Sequence, residues 1–247
     1  MKIRELFEEQ SSFLKSREEI EAWLQSMKIT NYTINDDLSV DVKANVKLFS
    51  SRLTSFPVQF RNVDGYFACA YNKLTSLQGA PREVGGNFDC ESNNLTSLQG
   101  GPREVGGDFL CQHNQLTSLQ GGPRAVGGDF LCQHNQLTSL QGGPREVNGS
   151  FQCSGNNLTS LQGGPREVGG DFRCDRNQLT SLQGAPRAVG GKFNCSDNQL
   201  TSLQGAPREV NGSFQCSDNK LLKSLEGIGN VEGEIREDKG VAKMKQR

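Results

Sequence analysis

Cysteine occurs at eight positions, Cys69, Cys90, Cys111, Cys132, Cys153, Cys174, Cys195 and Cys216, and every interval between neighbours is 21 residues. The period extends to everything around them. From Leu95 the chain reads LTSLQGGPREVGGDFLCQHNQ and from Leu116 LTSLQGGPRAVGGDFLCQHNQ, the two units differing only at Glu104 and Ala125. Six further units begin at Leu53, Leu74, Leu137, Leu158, Leu179 and Leu200, with degenerate units at 42–53 and 222–235. So short a unit cannot enclose a core of its own. It buries its apolar face only against copies of itself, which predicts a solenoid of about ten rungs with atypical ends.

Each rung has a simple logic. GDFLC alternates, so Phe109 and Cys111 point inward while Asp108, Leu110 and Gln112 point out, as in a short strand. A small, buried residue once per rung suits a free cysteine, so buried thiols are expected rather than disulfides. The pairs before the strand (Gly-Gly, Asn-Gly or Asp-Gly) suit a backbone with positive φ and predict a bend. The second glycine, Gly107 and its equivalents, marks a corner where no side chain fits. Asn114 and its equivalents (Asn72, Asn93, Asn135, Asn156, Asn177, Asn198, Asn219) are expected inward, satisfying backbone groups of their own and the adjacent rung. Leu116 and Leu119 return apolar side chains to the core, and Gly-Gly-Pro or Gly-Ala-Pro breaks any helix on the way back.

The phrase F-x-C-x-x-N-x-L-x-x-L resembles the leucine-rich-repeat frame, with Phe and Cys in two of its apolar slots. LTSL, and LTSFP from Leu53, resemble the short repeat type of bacterial and tailed-phage leucine-rich-repeat proteins. The resemblance covers roughly residues 38 to 235. It implies an α/β repeat solenoid: a horseshoe with a parallel β-sheet on the concave face, an irregular or extended convex side and an N-terminal α-helical cap. On that reading residues 1–37 are the helical cap, 38–235 the solenoid and 236–247 a charged tail. Rungs about 4.8 Å apart make a strip roughly 45–50 Å long. Some bacterial effectors with similar repeats carry a C-terminal ubiquitin ligase; with REDKGVAKMKQR following Ile235, that activity is not expected here.

The cap is legible in SREEIEAWLQSM. Ser16 and Glu19 form a capping-box pattern, and Ile20, Trp23, Leu24 and Met27 share one helical face. A shorter helix is expected around residues 3–9. The hydrophobic content of 34% and the 29 glycines fit short turning repeats. A net charge of -1 provides no global field toward polyanions. No apolar run approaches a membrane span, and MKIRELFEEQ carries no secretory signal. The expectation is a cytoplasmic protein, in the host cytoplasm if phage-encoded.

Columns that stay constant from rung to rung are read as serving the stack, and columns that change as free to recognise something. The changing positions flank Phe and Cys on the strand side. They concentrate Tyr66, Tyr71, Asp89, Glu91, Asp108, Leu110, His113, Asp129, Leu131 and His134 on neighbouring rungs, with Arg173 and Arg176 further along. Leu110 and Leu131, outward beside aromatics and carboxylates, resemble the anchors and rim of a protein interface. No metal site is expected, because Cys111 points inward while His113 sits at the strand exit. GGDFLC lacks the G-G-x-G-x-D frame of calcium-binding rolls. With no catalytic dyad, phosphate loop or cofactor motif, no enzyme and no cofactor are expected.

The convex side carries Arg82, Arg103, Arg124, Arg145, Arg166, Arg187 and Arg208. Such a column could follow a phosphate backbone, but Glu83, Glu104, Glu146, Glu167 and Glu209 beside it argue for neutralisation and against a nucleic-acid partner. The leading expectation is a non-catalytic module that binds a partner protein through its concave face, such as a host-directed binder or inhibitor. A structural component of a phage particle or larger assembly is the alternative, and nucleic-acid binding through the arginines the second alternative. No membrane partner is expected.

Overall fold

The computed structural model describes residues 13–238. The chain enters through helix α1 (Arg17–Ser26) and strand β1 (Tyr32–Ile34), turns into β2 (Val40–Val42) and β3 (Val46–Lys47), and from β4 (Phe60–Val63) onward winds as a regular coil. From the coil of Leu74 onward each coil carries two strands of two residues. Glu83–Val84 and Phe88–Asp89 are the pattern, repeated to Asn230–Val231 and Ile235–Arg236. The molecule is therefore a parallel β-solenoid with little helix.

The second strand of each coil, Phe-x, builds a sheet of ten strands running from Val46–Lys47 to Ile235–Arg236. Its register advances by one repeat at every step, Phe109 pairing with Phe130 and Leu110 with Leu131. The repeat pattern predicts one strand per coil, but the structure has two. Glu-Val and its equivalents form an eleven-stranded sheet, parallel throughout except where β1 adds antiparallel to β2. Valine faces inward, with Val105 3% exposed, and glutamate outward. Two residues are too few to display an alternation, so this strand shows only when coils are laid side by side.

Inside, Phe67 to Phe214 form an unbroken stack, with ring centroids 5.1 to 5.6 Å apart and planes within 20°. In-register parallel pairing imposes this near-parallel packing on identical side chains. The cysteines are free and buried beside it, and burial pushes the thiols well up, to about 12 even at Cys216 near the end of the column. Several thiols donate to the next coil, Cys132 Sγ to Gln152 O at 3.3 Å among them. The asparagine column closes the turn. Asn114 Nδ2 donates to Cys90 O of the preceding coil at 3.0 Å and to Cys111 O at 3.2 Å, while its Oδ1 accepts from Leu95 N at 3.0 Å. The same set recurs from Asn72 to Asn219. Each side chain thus joins two coils and pairs buried backbone groups that the turn would otherwise strand.

The glycines divide into two kinds. Positive φ falls on the Gly-Gly-Pro and Gly-Ala-Pro turns, as at Gly121 (φ 86°), and not on the Gly-Gly corner where the sequence analysis places it. At the corner the second glycine is fixed by space instead. A Cβ on Gly128 would lie 2.1 Å from Asp108 Oδ1 of the preceding coil.

At the N-terminal end Ser16 and Glu19 close the capping box. Ile20 and Leu24 are buried, Trp23 and Met27 partly so, and the Trp23 ring lies 6.3 Å from Phe60. The short helix expected around residues 3–9 and the tail beyond 238 lie outside the described residues. Among those described, no helix is long and apolar enough to cross a membrane.

Candidate functional site

The open side of the ten-stranded sheet presents four columns per coil, and the structure gives each a different character. The column before Phe is partly consumed by the stack. Asp108 Oδ1 accepts from Asp129 N at 2.8 Å, Asp129 Oδ1 from Ser150 N at 2.7 Å, and Asp171 Oδ1 from Lys192 N at 2.9 Å. Asp108 Oδ2 also takes Asn87 Nδ2. Asp108 and Asp129 therefore tie coil to coil, although their column varies in sequence. What Asn87, Asp108, Asp129, Ser150 and Asp171 share is an oxygen that accepts from the next coil, as at Ser150, whose Oγ accepts from Asp171 N. Tyr66 and Lys192 depart from this pattern, and Lys47 Nζ lies 5.9 Å from the Tyr66 ring centroid.

The column between Phe and Cys carries Asp89, Leu110, Leu131 and Arg173. The two leucines are paired in register and half-buried, not fully open. Ala68 leaves a notch of about 430 Å³ lined by Tyr66, Asn87, Asp89 and Leu110. Burial in this notch, with the Glu91 charge adding to it, pushes the Asp89 carboxyl up to about 6 against the opposing hydrogen bond from Glu91 N.

The column after Cys begins earlier than the full repeats show. Glu91 accepts from the Gln112 amide, and the buried Gln112 and the half-buried Gln133 each keep a buried side-chain oxygen without a hydrogen-bond partner. One coil before Ala70, this column holds Phe49, 56% exposed, which the sequence analysis missed. Its signal was one period upstream of Ala70, hidden in the degenerate unit 42–53. The small side chain of Ala70 lets Phe49 lean across to Tyr71, itself 52% exposed, with ring centroids 5.1 Å apart. Among the described residues only Leu221 is another large apolar side chain so exposed.

The fourth column sits at the strand exit, in the left-handed backbone region in every full coil. Tyr71, His113, His134 and Arg176 have φ of 54°, and Ser92, Asp197 and Asp218 lie at 51–58°. Such a conformation costs an L-residue about 1–2 kcal/mol, yet only Gly155 in this column is glycine. His113 and His134 stack with centroids 4.8 Å apart. Glu91 accepts a hydrogen bond from the Tyr71 hydroxyl, which with its charge holds the phenol proton more tightly than usual.

The structure thus brings Tyr66, Tyr71, Asp89, Glu91, Leu110, Leu131, His113 and His134 onto one continuous face and adds Phe49 and Lys47. Arg173 and Arg176 lie further along, each facing an aspartate, Asp171 at 3.3 Å and Asp197 at 3.8 Å. The N-terminal half of the face is apolar, aromatic and acidic, and the C-terminal half polar with paired charge. Among the described residues no three His, Cys, Asp or Glu side chains are placed to hold a metal ion.

The other flank carries the arginines. Arg82, Arg103 and Arg124 border a trough of about 520 Å³ with Gln78, Gln99 and the backbone of the Gly-Gly-Pro turns. The glutamates border a separate depression with Val84, Val105 and the corner glycines. No column glutamate pairs with an arginine within 4.0 Å among the described residues, so the direct neutralisation expected from their adjacency is not formed. The sequence matches no protein-family model and no curated protein.

Proposed function

We propose that this solenoid is a non-catalytic binding module that holds a partner protein on the open side of its ten-stranded sheet, over the coils from Phe49 to His134. One observation carries the reading: among the described residues, two of the three large apolar side chains that are more than half exposed lie on this face and touch each other. Aromatic pairs beside half-buried aliphatics, ringed by carboxylates, are the composition of interface anchors, and large exposed apolar groups gathered together mark contact sites more than scattered ones do. The left-handed column supports it. The chain retains Tyr71, His113 and His134 where glycine would relieve the backbone, which gives those side chains a use outside the fold.

On this reading the coil is a leucine-rich type of repeat, its sheet the concave side of a horseshoe and α1 its cap. The partner is a host protein met in the cytoplasm, bound or blocked without chemistry. Affinity capture with the full chain tests it. A partner held by the native protein and by a Leu221→Ser control is expected to be lost from Phe49→Ser/Tyr71→Ser and from Leu110→Asp/Leu131→Asp. Anchor truncations of this kind cost 2 kcal/mol or more, roughly 30-fold in affinity. Capture unchanged by either double substitution would overturn the assignment.

A further inference from the structure

We propose that the arginine trough is a second site, independent of the protein-binding face, that takes single-stranded nucleic acid along its phosphodiester backbone without reading sequence. The column is held in single file by the backbone. Arg103 N donates to Arg82 O at 2.8 Å, Arg124 N to Arg103 O at 2.9 Å, and so on to Arg208 N and Arg187 O at 2.9 Å. The first member, Arg61, one period before Arg82, is bound to Asp41. From Arg82 to Arg208 the guanidinium groups are exposed and have neither an ion pair nor a side-chain hydrogen bond among the described residues.

The constancy of this column has no explanation inside the fold. Phenylalanine, cysteine, asparagine and the second corner glycine are constant because the stack needs them. The neighbouring glutamate has become Ala125 and Ala188 on two coils, and the strand-side columns change on almost every coil. Through the same divergence arginine is retained on every coil from Arg82 to Arg208 although, among the described residues, its side chain has no hydrogen-bond or ion-pair partner. The two alanines also leave Arg124 and Arg187 without a flanking carboxylate.

The geometry selects the ligand. Six steps of about 4.8 Å place seven cations in single file over roughly 29 Å. One flexible phosphodiester strand can lie along such a line, whereas the phosphates of a duplex wind away from it. A glutamine per coil, exposed at Gln78, Gln99 and their equivalents, runs alongside. Its amide donates and accepts, which suits sugar and base edges better than bare polyphosphate. Among the described residues the arginine column has no aromatic ring running beside it, Phe60 at the end of the trough being buried, so contact stays with the backbone rather than with stacked bases.

Fluorescence anisotropy of the full chain with a labelled oligothymidylate of about 20 nucleotides tests this. Binding is expected to fall with salt at a log–log slope of about −3 to −5, the value for roughly four to seven phosphates on a single strand. Arg103→Gln/Arg124→Gln/Arg145→Gln/Arg166→Gln is expected to lower the slope by about 3 and to weaken binding more than about tenfold at low salt, with circular dichroism unchanged because these side chains are exposed. Leu110→Asp/Leu131→Asp is expected to bind the oligonucleotide as the native chain does, which separates this site from the protein-binding face. No binding by the native chain, equal binding by the quadruple variant, or stronger competition by duplex DNA or inorganic polyphosphate at equal phosphate concentration would each overturn the proposal.

Discussion

The two long surfaces of this solenoid are made by the same backbone and have opposite sequence behaviour. On the strand side almost every outward position changes from coil to coil, giving an aromatic and acidic half and a polar, charge-paired half. On the trough side threonine, serine, glutamine, glycine and arginine repeat with little change. A surface that varies along its length can fit one irregular partner in one register. A surface that repeats can meet only a ligand that repeats, or one indifferent to register. Variation alone does not mark freedom from the fold, however: Asp108, Asp129 and Ser150 differ in identity across coils yet all supply an oxygen to the next coil's N–H.

The most damaging way to break this comparison is to remove what both surfaces share. Asn135 donates to Cys111 O and Cys132 O and accepts from Leu116 N. Asn135→Ala strands these buried groups at about 1–3 kcal/mol each, so a loss on the order of 4 kcal/mol is expected, read by urea unfolding as a lower midpoint. Both surfaces fail together in that variant.

Next in size is Gly128→Ala, whose Cβ would meet Asp108 Oδ1 at 2.1 Å. A loss of about 2 kcal/mol is expected, and Gly128→Ala/Asp108→Gly is expected to recover part of it. Full additivity in that double-mutant cycle would show that the varying column is not packed on the corner glycine.

Arg176→Gly sharpens the contrast in the other direction. It relieves a left-handed backbone at φ 54° and removes only an exposed ion pair at 3.8 Å. A gain of about 1 kcal/mol is expected, near 2–4 °C in Tm for a chain of this size. A fall in Tm would mean the side chain at this column supports the fold.

The smallest effect concerns Asp89. Its raised pKa favours the protonated carboxyl in the folded state, so its burden on stability is absent below the ordinary carboxylate value of 3.8 and grows until about pH 6. Discounted for the partial exposure of the notch, the burden is about 1 kcal/mol. Asp89→Asn is expected to raise Tm by about 2–4 °C at pH 7.5 and to leave it unchanged at pH 3.5. An equal rise at both pH values would remove the carboxylate as the cause.

Much of the fold was legible because the sequence repeats its own answer. The inward Phe and Cys, the asparagine bridge and the crowded corner glycine could be inferred from which columns never change. The second sheet was not, since Glu-Val is too short to carry a period. The left-handed column was not either, because His, Tyr and Arg do not announce positive φ as glycine does. Of the candidate face, the cluster from Tyr66 to His134 followed from comparing coils. Phe49 escaped because its coil is degenerate, and the tie between Asp108 and the next coil escaped because hydrogen bonds between coils leave no trace in a single column's identity.

Site-specific photocrosslinking tests the central claim most directly. A benzoylphenylalanine placed at Tyr71 or at His134 is expected to give the same discrete protein adduct in cells, while one placed at Gln215, on the same face seven coils from Tyr71 and four from His134, gives none. An adduct of equal yield at Gln215, or no adduct at Tyr71, would contradict the assignment of the contact surface to the N-terminal half of the strand side.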